Sequence, residues 1–263
     1  MVATSMETAV GSFCWVELAT TDVESAATFY AKRFRWSRVD LFGVFSAESI
    51  DYVMMHLDGR IAAGLCGVVE EQRSSGFSPR WLPYVRVVDM NRTVARAETL
   101  GAKTLAGPLD VFAAGRMAIL EDPTGASLGL WQPNDHPGFS VAGEPGSACF
   151  FELATGDPSR AARFYSRLFG WEPHPRSSGH DTTVLMHGGR RVGGLKELTR
   201  EMGDAPSWLS YFGVEDAVAA TRFIEAHGGR VCVALSEGPP VGRRTVVEDP
   251  QGARFGLLEP RGS

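Results

Sequence analysis

The sequence lacks paired cysteines, basic runs and long apolar stretches. Its four cysteines are far apart and form no CxxC pair, which argues against a disulfide framework or a zinc knuckle. Lys and Arg total 26 against 31 Asp and Glu and form no dense run, so a nucleic-acid partner is not expected. No stretch has the pattern of a signal peptide or the length of a membrane span. We therefore expect a cytoplasmic monomer or homodimer without a membrane partner.

Two common catalytic motifs are also missing. No pair of the six histidines is spaced i, i+4, so no HExxH metal motif exists, and no GxxxxGK[ST] phosphate loop occurs. His56 and His187 occupy matching positions just before hairpin turns, where a histidine is usually solvated. These absences leave the function to be sought in a small-molecule site of another kind.

What the sequence does contain is an internal duplication. Residues 14–36 match residues 149–171 at 12 of 23 positions without a gap, too many for chance. Further matching blocks place the second copy from about residue 147 onward, after a Pro/Gly-rich segment that is typical of a linker. The other repeated blocks are WLPYVRVVD and WLSYFGVED, at 81–89 and 208–216, and EDPTGA and EDPQGA, at 121–126 and 248–253.

Each half contains the same small unit twice. A short strand precedes Asp22, which is a helix-capping residue, and apolar positions at helical spacing follow it. Strand-like runs come next, joined by the hairpin signal Asp58-Gly59. A second strand leads to Asp89, another capping residue, and to more strands around a DPTG turn. The pattern predicts an α+β protein made of four βαβββ units.

These units resemble the vicinal oxygen chelate superfamily, which includes glyoxalase I, bleomycin-resistance proteins, fosfomycin-resistance enzymes and extradiol dioxygenases. The motifs that carry the resemblance are TTD…AATFYAKRF, TGDPSRAARFYSRLFGW, EDPTGASLGLW and EDPQGARFGLL. Within the superfamily, the chain is similar to a two-domain actinobacterial branch labelled glyoxalase-like or hydroxylase. The resemblance implies two glyoxalase-like domains, each with a U-shaped sheet cleft. The expected ranges are 11–133 (units at about 13–69 and 81–133), a linker at 134–146, and 147–260 (units at about 148–198 and 208–260).

The resemblance also implies a divalent metal held by His, Glu or Gln in each cleft. Its usual ligand positions fall here on side chains that cannot coordinate a metal. We therefore expect no metal and no other cofactor in either cleft. The positions are Trp15, Leu82 and Gly129 in the first half and Phe150, Leu209 and Gly256 in the second.

Strand alternation predicts which side chains face the clefts instead. A register with Trp15 and Glu17 in the cleft leaves Val16 and Leu18 against the helix, whereas the opposite register would bury an unpaired carboxylate there. The same counting applies to the other central strands. The predicted catalytic residues are Glu17, Tyr84, Glu152 and Tyr211, and the predicted ligand-binding residues are Trp15, Leu82, Arg86, Ser127, Gly129, Trp131, Phe150 and Arg254.

Such clefts suit a hydrophobic or aromatic small molecule, and the first is favoured for its tryptophans. The protein would then isomerise, cyclise or hydrate its ligand by acid–base chemistry, or sequester it as resistance proteins do. A metal-dependent lyase or dioxygenase with ligands such as Glu17, His56 and Glu152 is one alternative. A non-catalytic interaction or antigen-like protein is another. Glu17 paired with Arg86 in a purely structural role also stays open.

Overall fold

The computed structural model describes residues 9–40, 51–69, 74, 76–174, 182–238 and 242–260. Within these residues the chain forms two similar sets of eight strands and two α-helices. The first set is β1 (Phe13–Thr20), α1 (Val23–Phe34), β2 (Trp36–Asp40), β3 (Tyr52–Leu57), β4 (Arg60–Gly67), β5 (Arg80–Arg86), α2 (Met90–Thr99), β6 (Lys103–Val111), β7 (Gly115–Glu121) and β8 (Ser127–Pro133). The second is β9 (Ala148–Thr155), α3 (Pro158–Phe169), β10 (Glu172–His174), β11 (Thr183–His187), β12 (Arg190–Glu197), β13 (Ser207–Gly213), α4 (Ala217–Ala226), β14 (Arg230–Gly238), β15 (Gly242–Glu248) and β16 (Arg254–Glu259).

Each set builds one eight-stranded sheet from its two βαβββ units. The order in the first sheet is β2-β3-β4-β1-β5-β8-β7-β6, and the second sheet repeats it as β10-β11-β12-β9-β13-β16-β15-β14. The units meet where β1 runs antiparallel to β5, and where β9 runs antiparallel to β13. The predicted α+β fold is confirmed, and consecutive units pair within each half. No helix among the described residues is long and apolar enough to cross a membrane.

The helices begin at the capping residues that the sequence predicts, Asp22 and Asp89, and at their counterparts in the second half. The carboxylates of Asp22, Asp89, Asp157 and Asp216 each accept a backbone N–H from the first turn of the helix that follows. Gly101, just beyond α2, has a positive φ of 94°, the conformation for which glycine is favoured at a helix C-terminus. These local signals fix where each helix starts, and the apolar faces then decide how it packs.

The two halves share one hydrophobic core. Phe13 stacks on Phe151 from the other half, with ring centroids 4.2 Å apart. The Tyr30 hydroxyl donates across the interface to Asp249, at 2.8 Å, and its counterpart Tyr165 donates to Asp122, also at 2.8 Å. Because this core runs through both halves, it does not mark where one domain ends and the next begins. The domain boundaries at 133 and 147 therefore stay a prediction.

The segment 134–146 packs against the first half and is not a loose spacer. The Phe139 N–H donates to the Cys14 carbonyl at 2.7 Å, and Glu144 forms an ion pair with Arg60 at 2.8 Å. The Trp36 indole N–H donates to the Gly146 carbonyl at 2.7 Å. The Pro/Gly content that resembles a linker therefore serves a tight path over the first sheet, and it brings His136 to the cleft.

Candidate functional site

A cavity of about 460 Å³ lies in the first half, on the face of the sheet opposite the helices. Its volume is in the range of small-molecule sites, roughly 300–1,000 Å³. Aromatic and aliphatic side chains form most of its wall, and a few polar groups face in. The described lining residues are Trp15, Glu17, Tyr52, Met54, Cys66, Tyr84, Leu109, Asp110, Val111, Phe112, Ala113, Ala114, Met117, Trp131, Asp135 and His136.

The tip of the β6–β7 hairpin contributes the rim of this cavity. Leu109 and Phe112 line the cavity, yet each is more than half exposed, at 54% and 56%. Phe112 also has a positive φ of 46°, an uncommon conformation for a bulky residue. Apolar side chains that are both exposed and cavity-lining offer a contact surface for a ligand that enters from solvent.

Glu17 is the carboxylate at the base of the site, and two phenols hold it. The Tyr84 hydroxyl donates to Glu17 Oε1 at 3.2 Å, and the Tyr52 hydroxyl also hydrogen-bonds to this carboxylate. Burial raises the pKa of Glu17 above its usual value, and the two hydrogen bonds offset part of that rise. Burial and the nearby carboxylate raise the pKa of both phenols well above the usual range, so both remain donors at neutral pH.

His136 completes the aromatic wall. Its ring stands edge-on to Trp15, with centroids 4.7 Å apart and an interplanar angle of 89°, and lies 5.7 Å from the Trp131 ring. The Trp131 indole N–H donates to the His136 carbonyl at 2.8 Å and fixes the loop. Burial lowers the pKa of His136 to about 4, so the imidazole is neutral at pH 7. Its Nε2 is buried without a hydrogen-bond partner among the described residues.

The family's metal-ligand positions do not fit a metal ion in this cavity. Trp15 and Leu82 offer carbon atoms, and Gly129 lies directly beneath the Tyr84 ring, which a Cβ at Gly129 would overlap. On β4, Gly64 is covered in the same way by the Tyr52 hydroxyl. Among the described residues, no group of three or more His, Cys, Asp or Glu side chains is placed to hold a metal. The phenols thus occupy the space around Glu17.

In the second half, the carboxylate that corresponds to Glu17 has different partners. Glu152 is completely buried and accepts from the Tyr211 hydroxyl at 2.9 Å and from the Thr182 hydroxyl at 2.7 Å. Arg244 forms an ion pair with it at 2.9 Å and is itself 11% exposed. Phe150 packs against Tyr211 in the same cluster. Each oxygen of Glu152 therefore accepts from at least one protein donor, and Arg244 neutralises the charge.

Several predicted residues lie away from the cavity wall. Leu82 is buried. Arg86 does not pair with Glu17, because the residue of β5 that lies opposite Glu17 is Leu82. Arg86 lies four residues further along β5, a distance of roughly 13 Å. Arg254 pairs with Glu248 at 2.6 Å, which directs it away from Glu152. Ser127 and Gly129 do not line the cavity; Gly129 instead makes room for Tyr84.

The predicted residues that the fold does bring together are Trp15, Glu17, Tyr84 and Trp131. Sequence reasoning missed Tyr52 and His136 in the first half and Arg244 in the second. Tyr52 starts the third strand of its unit, and strand alternation with Met54 could have identified it. His136 carried no such signal, because its position depends on how the segment 134–146 folds back.

The comparisons with known proteins agree with this architecture. The sequence model for the glyoxalase/bleomycin resistance protein/dioxygenase superfamily matches residues 149–257. CFP32 of Mycobacterium bovis, which carries a glyoxylase name, is 34% identical over 249 residues, covering 94% of this chain and 94% of the relative. The chain belongs to this superfamily. The anthracycline biosynthesis protein DauV of Streptomyces sp. strain C5, 30% identical over 270 residues, covers 96% of the chain and 94% of its own length.

Solved structures of the superfamily share the fold at low identity. The manganese-bound glyoxalase from Novosphingobium aromaticivorans superposes with a TM-score of 0.62 at 12% identity, over 95% of this chain and 83% of that one. The 2,3-dioxygenase LapB from Pseudomonas sp. KL28 gives 0.62 at 11% identity, over 94% and 91%. At these identities the superfamily neighbours establish the architecture and not the chemistry.

Proposed function

We propose that the first half binds a planar, largely apolar metabolite between its tryptophans and that Glu17 acts on the ligand as a general base. The reaction class is a metal-independent isomerisation or a related acid–base step. The single observation that carries the proposal is a carboxylate held by two phenols at the base of an aromatic cavity.

The chemistry follows from the surroundings of Glu17. A carboxylate whose pKa is raised by burial is better matched to proton abstraction near neutral pH than an ordinary carboxylate. The proton passes from an activated carbon or hydroxyl of the ligand to Glu17. The Tyr52 and Tyr84 hydroxyls, which donate to Glu17 beforehand, can then turn to donate to the oxygen on which negative charge develops.

The relatives support an aromatic ligand class. DauV and its counterpart DnrV of Streptomyces peucetius are named for the biosynthesis of anthracyclines, which are planar aromatic compounds. Trp15 and Trp131 supply flat apolar surfaces for such a ring system, and Met54 and Met117 adapt to its outline. The ligand's identity within this class is the part that experiment must supply.

Binding is tested first, by isothermal titration calorimetry with 9-(hydroxymethyl)anthracene. Trp131→Leu installs the residue found at the matching position of the second half, Leu258, and removes one wall of the cavity. We expect its affinity to fall by about tenfold or more, since one aromatic stacking contact is lost. Phe150→Leu, the matched change at the counterpart of Trp15, should leave the affinity unchanged. Absence of binding by the unmodified protein would refute the proposal.

Proton transfer is tested with anthrone, a planar ketone whose enol is its aromatic tautomer. Deuterium uptake at its acidic carbon in D2O, followed by mass spectrometry, reports abstraction and return of a proton. We expect the protein to accelerate this exchange and Glu17→Gln to lose about 100-fold or more of the acceleration. Glu172→Gln, which removes a charge from exposed strand β10, is the control. Binding without accelerated exchange would instead favour sequestration of the ligand.

A further inference from the structure

We infer that the cavity selects ligands that are neutral hydrogen-bond donors or cations and rejects anions. This inference rests on the proposed function and adds the charge class of the ligand. It comes from the charged side chains on the cavity wall, which among the described residues are all carboxylates; the His136 imidazole beside them is neutral.

The charged side chains that line the cavity among the described residues are all acidic. No Lys or Arg lines the cavity among the described residues, whereas Glu17, Asp110 and Asp135 do. Asp110 pairs with Arg116 at 2.8 Å, so its charge is partly met from outside the wall. The donors that Glu17 has among the described residues are the Tyr52 and Tyr84 phenols. Because Tyr52 and Tyr84 already direct their hydroxyls at Glu17 and the His136 imidazole is neutral, the charge of Glu17 is met best by a ligand that brings its own donor or cation.

In the second half, an arginine neutralises Glu152, the carboxylate that corresponds to Glu17. There Arg244 lies within 2.9 Å of Glu152. The matching position in the first half, found by counting back along the repeat, is Met117, which lines the cavity. Arg244 faces Leu258 in the register, as Met117 faces Trp131. The first half therefore lacks the counter-ion and keeps an open cavity beside an uncompensated acid.

A cationic or donor-bearing ligand would supply the missing partner. An ammonium group beside Glu17 forms a charge-assisted hydrogen bond, and the faces of Trp15 and Trp131 also attract a cation. A carboxylate placed in the same cavity meets like charge in a setting that solvent screens poorly. The preference should therefore appear among ligands that share one ring system and differ only in the attached group.

The experiment uses three anthracenes substituted at position 9, with hydroxymethyl, aminomethyl and carboxylate groups, titrated by calorimetry at pH 7. We expect the alcohol and the amine to bind at least about tenfold more tightly than the carboxylate. Glu17→Gln, which is isosteric, should reduce the gap between amine and carboxylate by about tenfold. Glu172→Gln, with the same charge change on β10, should leave the gap intact.

The outcomes separate the two proposals. A carboxylate that binds as tightly as the amine overturns the charge inference and leaves the planar-ligand proposal standing. The same holds if the gap exists but survives Glu17→Gln, because the preference then has another source. If none of the three compounds binds, both proposals fail.

Discussion

Glu17 shows how one side chain takes its chemistry from its neighbours. A carboxylate on the inner face of a sheet loses solvation, and two phenols replace only part of that water. Its duplicate, Glu152, has the same strand position but also an arginine and a threonine hydroxyl. The two copies therefore started from one residue and differ in whether an acceptor remains for a ligand.

His136 predicts a pH dependence of stability. Its folded-state pKa of about 4 lies below the ordinary value of 6.5, so its contribution is fully present above pH 6.5 and is lost as pH falls toward 4. Relative to His136→Gln, the wild-type free energy of unfolding should fall between pH 7 and pH 5, by at most about 1.4 kcal/mol per pH unit. Urea unfolding across this range measures the difference.

Glu17→Gln provides a control of opposite sign. Because the folded-state pKa of Glu17 is raised, its contribution is present below the unfolded value and is lost as pH rises through the folded value. Wild type should therefore gain stability relative to Glu17→Gln as pH falls. If the free energies of unfolding of wild type and His136→Gln change with pH in the same way, the burial of the His136 imidazole is contradicted.

At the scale of elements, glycines on the central strands decide where the tyrosines lie. Gly129 and Gly256 lie under the rings of Tyr84 and Tyr211, and Gly64 lies under the Tyr52 hydroxyl. A missing Cβ on one strand lets the aromatic ring of the next strand rest on the sheet surface. The glycines thus leave room for the tyrosines, whose hydroxyls reach Glu17 in the first half and Glu152 in the second.

Gly129→Ala should disturb this arrangement. A Cβ at that position would overlap the Tyr84 ring, which would have to leave its place beside Glu17. We expect destabilisation of about 1–3 kcal/mol in chemical denaturation, together with weaker binding of the anthracene alcohol. Gly156→Ala is the matched control, because no atom lies within 4 Å of the added Cβ and its φ is not positive. Equal effects for the two variants would contradict the packing argument.

The strand pair β15–β16 carries a second prediction at this scale. Arg244→Met installs the residue of the first half and leaves Glu152 buried without a counter-ion. Removing one partner of a buried pair costs about 3–5 kcal/mol, so the variant should unfold at clearly lower urea concentration at pH 7. Arg243→Met, on the partly exposed and longer pair with Glu259 at 3.5 Å, should change stability by less than about 1 kcal/mol. A loss of stability for Arg244→Met as small as that for Arg243→Met would show that another group replaces Arg244 beside Glu152.

At the scale of the whole molecule, the halves share one hydrophobic core. The ring of Phe212, on β13, lies 5.0 Å from both Phe34 and Trp81 of the first half, between centroids. Tyr30 and Tyr165 add hydrogen bonds in both directions across the same interface. A core built by both copies predicts that neither half unfolds alone.

Phe212→Ala tests this cooperativity. The deletion opens a cavity at the interface and should cost about 3–5 kcal/mol. Calorimetric unfolding and tryptophan fluorescence should shift together to lower temperature and remain one transition, because both halves lose the same contact. Two separate transitions, with only the second half destabilised, would show that the halves are independent domains.

The sequence by itself determined the repeat, the four helix starts and the alternation along β1. These depend on local chemistry: Asp at an N-cap, apolar spacing, and the cost of burying a carboxylate under a helix. Trp15, Glu17, Tyr84 and Trp131 were predicted for the same reason, since a strand's two faces follow from its register.

Only the tertiary structure decided which groups meet Glu17 and Glu152. Tyr52, Arg244 and Thr182 come from neighbouring strands or their ends, and His136 comes from a segment that folds back over the sheet. Such contacts depend on side-chain reach between strands and on loop paths, which local periodicity does not encode. The difference between an open acidic cavity and a neutralised core is therefore a property of the folded chain.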